Sequence, residues 1–281
     1  MSEVSEMDAA RALLRWHLEM GVDETVAPAP ADFYAWQAPQ TGGQSANAPA
    51  RRGAAPRLDA VKAEAQAVPA APAAPETVST DEAIRAAETA AAACDSFEAL
   101  DAAVKAFEGC PLKAGAKNTV FTDGVPGSDL LVIGEAPGRD EDRLGKPFVG
   151  RAGQLLDRML AAIGRARTEN VLISNVIFWR PPANRTPTAL ETAVCRPFVD
   201  RLIELTGPKA VLIAGGAPLQ ALLGVTGIMR ARGVWREIET ASGARFPALP
   251  TYHPAFLLRQ PAGKRLAWAD LQSLDQKLKG R

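Results

Sequence analysis

The side chains of this sequence that could do chemistry gather just after short apolar runs. The first run, residues 129–134, leads into Gly134-Glu135-Ala136-Pro137-Gly138, and Asp140, Glu141 and Asp142 follow at once. Two glycines and a proline make a tight loop whose backbone can approach a ligand closely. A phosphate-binding P-loop is excluded, because six residues separate Gly138 from Gly145, and Pro147 follows Lys146 where that motif requires Ser or Thr. The second run carries a polar pair, Ser174-Asn175. A buried Asn needs hydrogen-bond partners, supplied either by a neighbouring loop or by a ligand. The third place is His253, after a strand-like segment and before Pro254. It is the only histidine after residue 17, so any imidazole that works as acid, base or anion stabiliser in the globular part is this one, unless it is purely structural.

Positioning these groups falls to an alternation of strands and helices. Strands are expected at residues 129–134, 170–178 and 209–214, and helices at 152–163, 189–205, 218–223 and 264–278. Leu155, Leu156, Met159, Leu160 and Ile163 form one apolar stripe, and Leu271, Leu274 and Leu278 another. Ahead of them, Ser79 with Glu82 resembles a capping box for an Ala-rich helix ending near Cys94, and Ser96 caps a second carrying Leu100, Val104 and Phe107. Apolar strands alternating with helices imply an α/β fold with a mainly parallel sheet covered on both faces. Ligands of such sheets bind outside the carboxyl ends of the strands, which is where the candidate residues lie.

Residues 79–281 are therefore expected to be the globular domain. Residues 1–25 read as an amphipathic helix with Met7, Leu14 and Leu18 on one side, a candidate docking element for a protein partner. Residues 26–78 hold eight of the 22 prolines and are Ala-rich, a composition that cannot offset its ordering entropy, so a disordered linker is expected. The chain has 281 residues, with 32 basic and 32 acidic side chains. That neutrality hides a contrast: between Arg143 and Thr186 there are 8 basic and 2 acidic residues. The patch is either a polyanion-facing surface or an Arg-rich solvated face. The longest uncharged stretch, residues 210–229, is broken by Gly, Pro and Gln, so no membrane span is expected. The start, MSEVSEMD, has neither the basic residues nor the apolar run of a signal peptide, which points to the cytoplasm. Three cysteines are too few for a disulfide framework.

Three segments together, GEAPGRDEDRLGKPFVGRAGQLLDRML (134–160), SNVIFWRPPANRTP (174–187) and HPAFLLR (253–259), resemble the family 4 uracil-DNA glycosylases. The resemblance spans roughly residues 96–278. It implies an α/β/α sandwich around a short parallel sheet. It further implies a monomeric enzyme that flips uracil out of DNA and hydrolyses its N-glycosidic bond. By the same resemblance, Glu135 and His253 are the catalytic candidates, His253 facing uracil O2. Gly134, Ala136, Phe148 and Asn175 would bind the base, Phe148 by stacking and Asn175 by reading its edge. An Asp stands at the position of Ala136 in another family of these enzymes, and Ala cannot activate water. Glu135 is ranked first for that task, with Glu141 and Asp142 as further candidates. Arg151, Arg180, Arg185 and Arg259 are candidate phosphate contacts, and Phe256 and Leu257 a candidate wedge for the gap left by the base.

Two departures from the family stand out. Most of its members hold a [4Fe–4S] cluster on four cysteines. Here Cys110 and Cys195 match two of those positions, but Phe107 and Trp179 occupy the others, and neither can ligate iron. No cluster is expected, and the two aromatics are expected to fill its volume. A covalently DNA-capturing branch carries an inserted basic segment with a His; residues 181–187, PPANRTP, have neither. The competing functional reading is a catalytically silent DNA-binding or polymerase-associated module with the same fold.

Overall fold

A computed structural model describes residues 80–280. The expected N-terminal helix, the linker and Ser79 lie outside the described residues. The helices are α1 (Thr80–Ala92), α2 (Phe97–Ala106), α3 (Arg139–Leu144), α4 (Arg151–Ala161), α5 (Ala189–Thr206), α6 (Gly216–Leu223), α7 (Ile228–Ala231), α8 (Pro254–Arg259) and α9 (Lys264–Leu278). The strands are β1 (Thr122–Gly124), β2 (Leu130–Gly134), β3 (Val171–Asn175), β4 (Ala210–Ala214), β5 (Arg236–Glu239) and β6 (Arg245–Thr251). They form one sheet in the order β1-β3-β2-β4-β6-β5. The inner four are parallel, and β1 and β5 close the edges antiparallel.

The apolar runs explain the layering. Side chains alternate along a strand, so a strand buried on both faces needs apolar residues at every position. In β2, Leu131 and Ile133 point to one face, against α1, α2, α5 and α6, while Leu130 and Val132 face α4 and α9. β4 divides its residues the same way, with Val211 and Ile213 on the first face and Ala210 and Leu212 on the second. The expected three-layer α/β/α sandwich is what forms. Both leucine stripes are used as expected: Leu156 and Leu160 of α4 meet Leu271, Leu274 and Leu278 of α9 beneath the sheet. Each such buried side chain contributes about 2 kcal/mol. Ser96 caps α2, its hydroxyl accepting the Ala99 N–H.

The second strand ends earlier than expected, at Asn175 rather than residue 178. Beyond it the Val176 and Ile177 N–H groups donate to the carbonyls of Gly134 and Glu135, at 3.0 and 3.1 Å. The pairing of β3 with β2 thus continues into the loop after β2 and fixes that loop against the end of β3. No helix among the described residues is long and apolar enough to cross a membrane.

Candidate active site

A cavity of about 480 Å³ opens at the carboxyl ends of β2, β3 and β6. Its lining includes Glu135 and Ala136 after β2, Asn175 at the end of β3, and His253 after β6. Phe148, from the segment between α3 and α4, supplies an aromatic wall, its ring centroid 5.5 Å from that of His253. The cavity has the volume of a small-molecule site. Gly134 is what lets the walls close up. A Cβ on it would lie 2.4 Å from Phe148 Cζ and 2.5 Å from Asn175 Oδ1, distances no side chain can occupy.

Asn175 is only 2% exposed, yet its side-chain amide makes no hydrogen bond within the protein among the described residues. The amide opens on the cavity, where water or a ligand completes its hydrogen bonding. It offers one acceptor and two donors to a planar edge resting against Phe148.

His253 is the N-cap of α8, with Pro254 at the first helical position where its missing N–H costs nothing. Its Nδ1 accepts the Ala255 N–H at 3.1 Å. Nδ1 therefore carries no proton in the neutral ring, and the proton sits on Nε2. Burial first, and the Arg259 charge after it, lower the imidazole pKa to about 4, against a small opposing pull from Glu141. At neutral pH this side chain is an uncharged N–H donor at the cavity.

The three candidate carboxylates separate cleanly. Glu135 lines the cavity, and no hydrogen bond or ion pair engages its carboxylate among the described residues. Burial raises its pKa, so it is the basic carboxylate of the site. Glu141 also borders the cavity but is already committed. Oε1 accepts the N–H groups of Val149 and Gly150 at 3.0 and 2.9 Å, and Oε2 accepts that of Gly138 at 3.1 Å. It ties the loop after β2 to the segment carrying Phe148. Asp142 faces away and accepts the Lys117 and Asn118 N–H groups. Neither is placed as Glu135 is: three backbone amides engage Glu141, and Asp142 lies outside the cavity lining with two backbone amides on its Oδ1. The spacing Gly138-x-x-Glu141 was the missed signal, since it is the returning half of a capping box: Glu141 accepts the Gly138 N–H, and glycine has no side chain to reciprocate.

Of the arginines, Arg185 and Arg259 line the cavity, whereas Arg151 and Arg180 do not. Arg185 forms a two-pronged pair with the buried Glu191, at 2.6 and 2.9 Å, so its fork is set in direction and partly neutralised. Arg180 bonds Asn184 Oδ1. Phe256 lines the cavity and stacks at 4.8 Å on Tyr252. Leu257 corrects the wedge expectation: it is 1% exposed and packs with Leu155, Tyr252 and Ala267. Consecutive helical residues point about 100° apart, so α8 turns Leu257 into the core.

The four positions matching a cluster site can be tested on their contacts. Trp179 is fully buried and its Nε1–H donates to Thr119 Oγ1 at 3.0 Å. Phe107 packs edge-on against Phe198 at 5.0 Å. Cys110 and Cys195 are both buried free thiols that influence each other's ionisation, and burial pushes the Cys195 thiol well up. Cys94 is turned away, donating to the Ala90 carbonyl. No group of three or more metal-ligating side chains occurs among the described residues. Two thiols and two packed aromatics do not fit a cubane, which takes four thiolates.

Comparison with known proteins agrees with the motifs. The family model of the Uracil DNA glycosylase superfamily matches residues 121–272. The chain is 34% identical over 188 residues to a type-4 uracil-DNA glycosylase of Sulfurisphaera tokodaii, covering 64% of this chain and 84% of that protein. It is 36% identical to that of Thermotoga maritima, over 63% of this chain and 91% of the relative, and 39% identical to that of Archaeoglobus fulgidus, over 54% and 78%.

Proposed function

The chain belongs to the uracil-DNA glycosylase superfamily, and from that premise we propose that it excises uracil from DNA, hydrolysing the N-glycosidic bond and leaving an abasic site. The observation that carries the reading is the unpartnered Asn175 amide beside Phe148 and the Nε2–H of His253 in one cavity. A base must leave the stack to be cut, at a cost of a few kcal/mol, and the pocket must then hold it. Phe148 stacks on the ring. The Asn175 Oδ1 accepts from uracil N3–H while Nδ2 donates to O4; cytosine presents the reverse pattern and leaves both atoms of the amide mismatched. As the N1–C1′ bond breaks, its electron pair moves into the uracil ring and the sugar becomes electron-poor. His253 donates to O2, where negative charge grows. Water adds to C1′, and Glu135, as the ionised carboxylate, orients it and accepts its proton. Arg185 and Arg259 border the cavity as phosphate contacts, with Arg151 and Arg180 further out, and Phe256 is the wedge.

Uracil release from a single-stranded oligonucleotide tests this directly. Cleavage is expected from wild type, and its absence from folded protein would favour the silent binding module. Because burial raises the Glu135 pKa, the deprotonated form is lost as pH falls through a value above the ordinary carboxylate range. The acid limb of kcat/KM is expected there. Glu135→Gln should remove that limb and slow excision about 100-fold. An unaltered pH profile in the variant would reassign the base.

We also propose that the enzyme works without an iron–sulfur cluster, with Phe107 and Trp179 as permanent core. Protein purified without oxygen should contain no stoichiometric iron or acid-labile sulfide. One cluster equivalent per chain would sink this.

A further inference from the structure

Phe148 holds a backbone conformation that side chains rarely adopt, with φ at +53°. Something must keep it there, since an aromatic residue gains nothing from the left-handed region by itself. Resting on the reading of Phe148 as the base platform, we propose that Arg167 is the positioning residue that sets it. Its guanidinium comes out of the turn between α4 and β3 and does not line the cavity. Nη2 donates to the Phe148 carbonyl at 2.7 Å and Nη1 to the Pro147 carbonyl at 3.1 Å. Two carboxylates aim the fork: Asp123 of β1 at 2.9 Å and Asp157 of α4 at 2.8 Å. The side chain is only 14% exposed, so these bonds are sheltered from water.

The neighbouring geometry fits the same purpose. The Phe148 carbonyl lies so close to α4 that a Cβ at Gly153 would sit 1.8 Å from its oxygen. On the other side of Phe148, Glu141 holds the Val149 and Gly150 N–H groups. A cation thus grips the Pro147 and Phe148 carbonyls and an anion the Val149 and Gly150 amides, so the Phe148–Val149 peptide is held at both its C=O and its N–H. Arg167 is not among the residues lining the cavity. Arg167 acts only through Phe148, whose ring tilt decides how a base lies against it.

The full chain is compared as wild type, Arg167→Met, Phe148→Ala and the double variant. Arg201→Met serves as control, since that guanidinium binds the Cys94 carbonyl and no cavity residue. A misplaced platform should lower kcat/KM for uracil excision about tenfold in Arg167→Met, with the double variant no worse than Phe148→Ala alone. A second readout needs no activity. The His253 ring proton signal feels the Phe148 ring 5.5 Å away. In Arg167→Met it should move toward its position in Phe148→Ala, and it should stay unmoved in Arg201→Met. Losses that multiply in the double variant, or an unmoved His253 signal, would overturn the assignment. Should Arg167→Met fail to fold, Arg167→Lys keeps the ion pairs but cannot span both carbonyls, and the same signal reads it. If wild type releases no uracil, the functional reading fails while the His253 signal still decides the clamp.

Discussion

His253→Ala is expected to lower kcat for uracil release by about 10²–10³-fold with little change in KM, because a donor aimed at developing charge acts in the transition state far more than in the ground state. Single-turnover excision by the two proteins measures it. The sign of the pH dependence sharpens the test. An imidazole acting as a cation would lose activity as pH rises through its pKa. Here the pKa lies at about 4, so the neutral ring is the working form and wild type should not lose activity as pH rises through 6.5. Protonation would also put hydrogen on Nδ1 and break its bond from the Ala255 N–H. The folded state therefore resists protonation that the unfolded chain accepts near 6.5, and stability should fall as pH drops from 6.5 toward 4. A bell-shaped profile with a His limb near neutrality would overturn the neutral-donor role.

The inner frame of the fold was legible because burial on both faces leaves an unmistakable mark. Runs such as LLVI in β2 and AVLI in β4 admit no other reading once helical stripes flank them. The edges left no such mark. β1 is three residues, Thr122–Gly124, and β5 is Arg236–Glu239 with Ile238 alone buried, so pairing rather than composition makes them strands. The site was legible to the same depth. Glu135, Asn175 and His253 follow or end apolar runs, and the ends of parallel strands converge. What sequence adjacency could not resolve is direction. Phe256 and Leu257 look interchangeable until α8 sends one to the cavity and the other to the core. Glu135 and Glu141 look alike until one proves free and the other bonded to three backbone amides. Arg167 was invisible, because its partners Asp123 and Pro147 come from 44 and 20 residues away and no local pattern joins them.

The smallest change with a large expected effect is Gly134→Ala, which should lower kcat/KM for uracil excision at least about 100-fold through misplacement of both base-holding groups. The added methyl meets Phe148 Cζ, Phe148 Cε2 and Asn175 Oδ1, all at or within 2.5 Å. Relief must come from one of three movements, and two of them are opposed. The Gly134 backbone is paired to Asn175 across β2 and β3, and its carbonyl accepts the Val176 N–H. The Phe148 backbone is held by Arg167 and Glu141. Among the described residues the Asn175 amide has no hydrogen-bond partner to resist its turning, so it is the group that yields, and with it goes the edge proposed to tell uracil from cytosine. The variant should consequently lose discrimination as well as rate, its uracil-to-cytosine ratio falling toward that of Asn175→Ala. Melting temperature should drop only slightly, since the sheet pairing is untouched. Excision within threefold of wild type would mean that the walls are not held as tightly as their contacts imply, and that the base is read elsewhere than between Phe148 and Asn175.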